Sequence, residues 1–183
     1  MLNIVQFIDA LNAQGGAERL IVIFAEALQH FDARLTVVTL RENDPDMQRQ
    51  VEAMGGSVVA FPARRVTDPL RFLRMLRYLR SVEIDLIHTH LTGATILGAS
   101  LGRLLSIPVV TSLHNTKTKN SHKLQGPLEN WHLLHSVQKL IAVGWETAKA
   151  QRRHLPQRSI SVIPTLPTSS PNRRPRHNAS ADA

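Results

Sequence analysis

Short apolar runs alternate with longer amphipathic stretches from the start of the chain to Ile163. Strand-like runs fall at Asn3–Ile8, Leu35–Leu40, Ser57–Phe61, Leu86–His88, Val109–Leu113, Lys139–Val143 and Ile160–Ile163. Most are continuous β-branched or aliphatic runs, the pattern of parallel strands covered on both faces. Between them the spacing predicts helices over Ala17–His30, Pro45–Met54, Pro69–Val82, Thr92–Leu105, Leu124–Val137 and Trp145–His154. Asp68-Pro69 is a helix start, with a capping carboxylate and then proline at the first helical position. Strands and helices of this length in alternation predict right-handed βαβ units and an α/β, doubly wound parallel sheet of about seven strands. Ligands of such sheets bind beyond the carboxyl ends of the strands.

The loop after the first strand reaches that edge and carries Gly15-Gly16-Ala17-Glu18-Arg19. Two adjacent glycines let a ligand approach the backbone closely, because neither has a Cβ. The helix behind them aims free N–H groups and the positive end of its dipole at the same space, which suits an anion. A tight turn alone would also place glycines here. Glu18 and Arg19 either bind ligand or form an exposed pair in the first helical turn, where the dipole favours Glu.

Composition adds bounds. A chain of 183 residues with 43% apolar residues is long enough for one domain with a core of its own. It has no cysteine, which excludes disulfides and thiolate metal sites. No apolar stretch reaches the ~20 residues that span a bilayer. The net charge of +8 favours acidic partners: nucleic acid, anionic lipid or a phosphorylated substrate. With two tryptophans, one tyrosine and five phenylalanines, base stacking on an exposed sheet is poorly supplied, and no nucleic-acid partner is expected. After Ile163 the composition shifts to proline, arginine and small polar residues. Residues 164–183 are therefore expected as a disordered basic tail following a domain over 1–163.

Several motifs together resemble the N-terminal, acceptor-side domain of the retaining GT-B glycosyltransferases of family 4. The glycine loop is similar to that family's "GGAER" segment. Asp85-Leu86-Ile87-His88-Thr89-His90 resembles its fourth strand, and Leu113-His114-Asn115 the end of its fifth. Leu140–Glu146 resembles the segment opening its next helix, with Gly144 in place of the usual serine, and Ile160–Pro164 the hinge to its second domain. The resemblance implies a Rossmann-like half of a two-domain enzyme that moves a hexosyl group from a nucleotide sugar to a glycan or lipid-linked acceptor, as in polysaccharide or glycolipid assembly. Thr165-Leu166-Pro167 departs from the family's asparagine–glycine turn, and the family's donor-binding residues have no counterpart in this sequence. The expectation is an acceptor-side half that is inactive alone and meets a nucleotide sugar only with a second domain or subunit. The alternatives are an acceptor-binding or membrane-docking subunit of a split enzyme, and a non-functional truncated fragment. No cofactor is expected, and the location expected is cytoplasmic, including the inner face of the membrane.

Candidate site residues follow. By resemblance, His114 contacts the transferred sugar or orients the acceptor; capping of a strand end is the other reading. Gly15, Gly16, His90, Asn115, Lys117 and Lys119 are candidates for substrate binding, the lysines because a basic loop above the cleft suits a phosphorylated acceptor. His88 and His90 share a face of an extended strand; with no third ligand placed beside them, no metal site is assigned. His88 reads as a hydrogen-bonded core histidine. In Pro69–Val82, Phe72, Met75, Leu76 and Leu79 share one face, and Arg71, Arg74, Arg77 and Arg80 spread over the opposite one. Arg71, Arg74 and Arg77 are accordingly candidates for contact with an anionic membrane, a solvated arginine face being the alternative.

Overall fold

The computed structural model describes residues 1–13, 15–65, 68–114 and 125–164. The strands are β1 (Leu2–Ile8), β2 (Ala33–Thr39), β3 (Ser57–Ala60), β4 (Leu86–His90), β5 (Val109–Leu113), β6 (Lys139–Ala142) and β7 (Ile160–Val162). Helices α1 (Gly16–Leu28), α2 (Pro45–Ala53), α3 (Pro69–Arg80), α4 (Thr92–Leu105), α5 (Gln125–His135) and α6 (Trp145–His154) separate them. All neighbouring strands are parallel, in the order β3-β2-β1-β4-β5-β6-β7. This is the doubly wound sheet that the alternation predicts. β4 runs to His90 rather than His88, because Thr89 and His90 pair with Thr111 and Ser112 of β5. The expected tail, from residue 165 onward, lies outside the described residues.

Side-chain alternation sorts the strands onto two cores. Val5, Phe7, Val38, Ile87 and Val109 pack with Met75 and Leu79 of α3, Leu97 and Leu101 of α4 and Leu133 of α5. Ile4, Ile8, Leu35 and Val37 pack on the opposite face with Ile21 and Ala25 of α1 and Met47 and Val51 of α2. The order of the strands reverses at β1, which β2 flanks on one side and β4 on the other. A crevice therefore opens beyond the carboxyl ends of β1 and β4.

Local chemistry fixes the helix starts. Asp44 and Asp68 each precede a proline, and their carboxylates accept from Asp46 N and Met47 N, and from Arg71 N, respectively. In α3, Met75, Leu76 and Leu79 are buried as the periodicity predicts, whereas Arg71 is not on the outer face. It is only 2% exposed, and its guanidinium donates to the Leu40 carbonyl at 3.3 Å. Its position in the first turn, above the end of β2, turns the side chain under the strand instead of into solvent. Arg71 is thus corrected from a membrane-contact candidate to a buried residue. Arg74, Arg77 and Arg80 remain exposed, beside Leu70 and Leu73 at 70% and 47% exposure.

Helix α4 lies close on the sheet because glycines face it. A Cβ at Gly98 would stand 2.6 Å from Thr89 Cγ2 and 3.3 Å from Phe7 Cγ. Thr89 cannot easily give way, since its hydroxyl pairs with those of Thr111 at 2.7 Å and Thr95 at 3.3 Å. Gly98→Ala is therefore expected to lower stability by about 1–3 kcal/mol through overpacking, despite alanine's better helix propensity. Urea denaturation measures this; unchanged or increased stability would contradict the close packing.

Candidate functional site at the carboxyl edge of the sheet

Asp9 follows β1 at the crevice. Its Oδ1 accepts from Ala94 N at 3.0 Å, so the first turn of α4 is capped from another strand. The residue at the usual capping position, Leu91, has no side-chain acceptor and is held at φ 68° and ψ 160°. That conformation is one that residues with side chains rarely adopt. A Cβ at Gly93 would approach Asp9 Oδ1 to 2.7 Å, so glycine makes the cap possible. Burial raises the Asp9 carboxyl above its ordinary range, against the lowering effects of the Ala94 N–H, Arg41 and Arg71. Burial likewise raises Glu129 of α5, which bonds Thr92 at the start of α4.

At the glycine loop, Glu18 is not part of an exposed pair. It is 8% exposed and folds back so that a Cβ at Gly15 would land on its carboxylate. The place beside the first turn of α1 where an outside anion was expected thus holds the protein's own. Gly16 has no atom within 4 Å of an added Cβ, so its backbone stands open to a ligand. Asn12, Ala13, Gly15, Glu18 and Asp44 line a cavity of about 550 Å³. Its carboxylates and amide suit the hydroxyls of a polyol.

The third part is a row of polar side chains across β1, β4 and β5, on the face that α1 covers. Gln6 Nε2 donates to His88 Nδ1 at 3.2 Å, which leaves His88 Nε2–H to donate to Ser112 Oγ at 2.8 Å. Phe24 of α1 meets the His88 ring edge-on at 6.0 Å between centroids. His90, 2% exposed, has its ring 4.3 Å from that of His88 and its Nδ1 3.0 Å from His114 Nε2. His90 Nε2 is buried with no partner among the described residues. A lone pair tolerates that better than an N–H, so neutral His90 carries its proton on Nδ1 and donates to His114 Nε2. His114 then carries its own proton on Nδ1.

Burial lowers His88 to about 4, with repulsion from His114 adding to it, and lowers His114 to about 4. His90 is pushed well below its ordinary value by burial and then by its two histidine neighbours. At neutral pH the row is uncharged and offers hydrogen bonds. Among the described residues no three His, Cys, Asp or Glu side chains converge as metal ligands.

Of the sequence candidates, Gly15, Gly16, His90 and His114 lie at this one edge. Asn115, Lys117 and Lys119 lie outside the described residues. Sequence reasoning passed over Asp9, Arg41 and Asp44. A lone acid at the end of an apolar strand was the available signal for Asp9; its partner sits 85 residues away, at Ala94.

The seven-strand sheet and its edge define one Rossmann-like half of a GT-B glycosyltransferase fold. Anabaena Alr3699/HepE in complex with UDP and glucose superposes with a TM-score of 0.70 at 16% identity, over 90% of this chain and 44% of that one. The lipopolysaccharide outer core galactosyltransferase WaaB, in apo form, gives 0.61 at 11% identity, over 89% and 45%. Acinetobacter baumannii MurG gives 0.57 at 15%, over 88% and 45%. The chain thus spans less than half the length of each of these structures. It belongs to Glycosyltransferase Family 4, whose profile matches residues 14–166. No match is found among curated protein sequences.

The depressed histidines make stability depend on pH. Their folded-state values lie below the unfolded value of about 6.5, so the unfolded chain takes up the protons first. Stability is full above that value and falls as the pH drops from about 6.5 toward 4. His88 and His114 should each account for a loss on the order of 2 kcal/mol between pH 7.5 and 5. Urea denaturation at the two pH values measures it, and His88→Gln should reduce the difference by the His88 share, leaving that of His114; an equal pH dependence in both proteins would contradict the buried neutral row.

Proposed function

We propose that this chain is the acceptor-side half of a retaining glycosyltransferase. It moves a hexosyl group from a nucleotide sugar to a glycan or glycolipid hydroxyl once a donor-binding Rossmann domain, linked or separate, faces this edge. The observation that carries the reading is the neutral His90–His114 pair at the strand ends, on the sheet edge that also bears the carboxylate-lined cavity beside Gly16. His114 Nδ1–H donates to an oxygen of the transferred sugar or of the acceptor, and His90 sets that proton's place. Asn12, Glu18 and Asp44 accept from acceptor hydroxyls, and the open backbone at Gly16 admits close approach.

Transfer also needs a stabilised diphosphate, which is a large share of the barrier. The purified chain alone is accordingly expected to give no turnover with UDP- or GDP-hexoses. In an assembly with a donor-binding domain, His114→Ala should cut the rate by about 100-fold or more. Gly16→Ala should raise KM for the acceptor while the thermal midpoint holds, since its Cβ meets open space. Radiolabelled transfer assays read all three. Turnover by the chain alone, or an unaffected His114→Ala assembly, would overturn the reading.

The outer face of α3 favours a second, compatible role. Leu70 and Leu73 stand exposed among Arg74 and Arg77, as on a helix that rests on a membrane surface. No described helix is long and apolar enough to cross a bilayer. Co-sedimentation with vesicles rich in phosphatidylglycerol should weaken with salt and fall several-fold in Arg74→Gln/Arg77→Gln. Removing residues 165–183 is the control for the basic tail. If that deletion abolishes binding and the helix substitutions do not, α3 has no membrane role.

A further inference from the structure

Three arginines converge on one small cavity at the carboxyl edge, beside the crevice. Arg41 follows β2, Arg64 follows β3, and Arg71 reaches in from the first turn of α3. With Asp9, Leu40 and Ala63 they line a space of about 30 Å³. The surrounding backbone is tied down. Leu40 N donates to Asp9 O at 3.0 Å, Phe61 N to Thr39 O at 2.8 Å, and Thr39 Oγ1 to Arg41 O at 3.3 Å. Arg41 and Arg64 are exposed at the rim, and among the described residues neither forms an ion pair. Arg71 forms the buried wall.

Holding Arg71 there is costly in three ways. Burial lowers its pKa, and Arg74 and Arg41 lower it further by repulsion, while Asp68 and Asp9 support the charge. The first turn of a helix is also the wrong end for a cation. With Asp9 ionised, the lining sets three arginines against one acid, and Asp68 just outside it offsets part of the remaining positive charge. An anion would balance what is left.

The geometry points to a binding site for the terminal phosphate of a phosphate monoester in this notch, held by Arg41, Arg64 and Arg71. A phosphate supplies negative charge on several peripheral oxygens, each of which can meet a guanidinium fork. The notch has about one water's volume and opens to solvent, so phosphate oxygens can enter its mouth while the rest of the molecule stays outside. The obvious alternative places for an anion at this edge are filled. Asp9 caps α4, and the Glu18 carboxylate lies over Gly15. In placing the phosphate on the acceptor, the inference rests on the reading of this edge as the acceptor side; the phosphate site itself does not.

Calorimetry on the full chain tests it with inorganic phosphate, glucose 6-phosphate and glucose as probes. Phosphate-dependent binding is expected, about tenfold weaker in Arg41→Gln and in Arg64→Gln. Both residues are at the rim, so the fold should survive their replacement, which circular dichroism checks. Arg74→Gln removes the same charge from the outer face of α3 and should leave binding unchanged. Tighter binding of glucose 6-phosphate than of inorganic phosphate assigns the notch to a phosphorylated small molecule. Equal binding assigns it to the free ion and withdraws the monoester while keeping the phosphate site. No binding, binding of glucose as strong as of its phosphate, or equal losses in all three variants would overturn the site. Intact phosphate binding in an assembly that transfers no sugar would overturn the acceptor reading alone.

Discussion

A half-buried carboxylate at the point where the strand order reverses holds the carboxyl edge of this sheet in place. Asp9 leaves β1, caps α4 through Ala94 and faces Arg41 and Arg71 across the notch. Burying it costs free energy, and each neighbour offsets part of that cost. Four elements that are distant in sequence meet at this one side chain: the ends of β1 and β2 and the starts of α3 and α4. Gly93 and the turned backbone of Leu91 are the steric conditions for the meeting.

The same edge explains why anion chemistry does not sit where a strand–glycine–helix motif suggests. Helix N-termini attract negative charge, and here the chain supplies it from within, with Asp9 at α4 and Glu18 beside the first turn of α1. Positive charge is instead gathered one strand further out, by side chains from the β2 and β3 ends and from α3. The histidine row on the other face of the sheet is neutral by burial. It is held by directed hydrogen bonds, and its histidines stand on β4 and at the end of β5, apart from the arginines of the β2 and β3 ends and α3.

The fold was legible because continuous apolar runs and amphipathic spacing are local signals. Strand and helix positions follow from them within a few residues, and Asp68-Pro69 marks the start of α3 as expected. The side of a helix that meets the core was legible only in part. Periodicity puts Met75, Leu76 and Leu79 inside, yet it cannot see that the end of β2 lies over Arg71 and turns that arginine inward. The pairing of His90 with His114 needs the register of β4 on β5, and the Asp9 cap needs the order of β1 and β4. Neither is encoded within one stretch of sequence. The exposed-pair reading of Glu18 failed for a related reason: a position in the first turn of a helix says nothing of the loop that folds against it.

Leu91 joins β4 to α4 with no loop between them, since His90 ends the strand and Thr92 begins the helix. Its unusual backbone, a strain of about 1–3 kcal/mol, is what lets the chain turn in a single residue. The mechanical result is that His90 has no slack of its own. It is bolted to a strand on one side and, through one stiff joint, to a capped helix on the other. A side chain mounted in that way keeps its bearing on His114 for as long as the sheet itself holds.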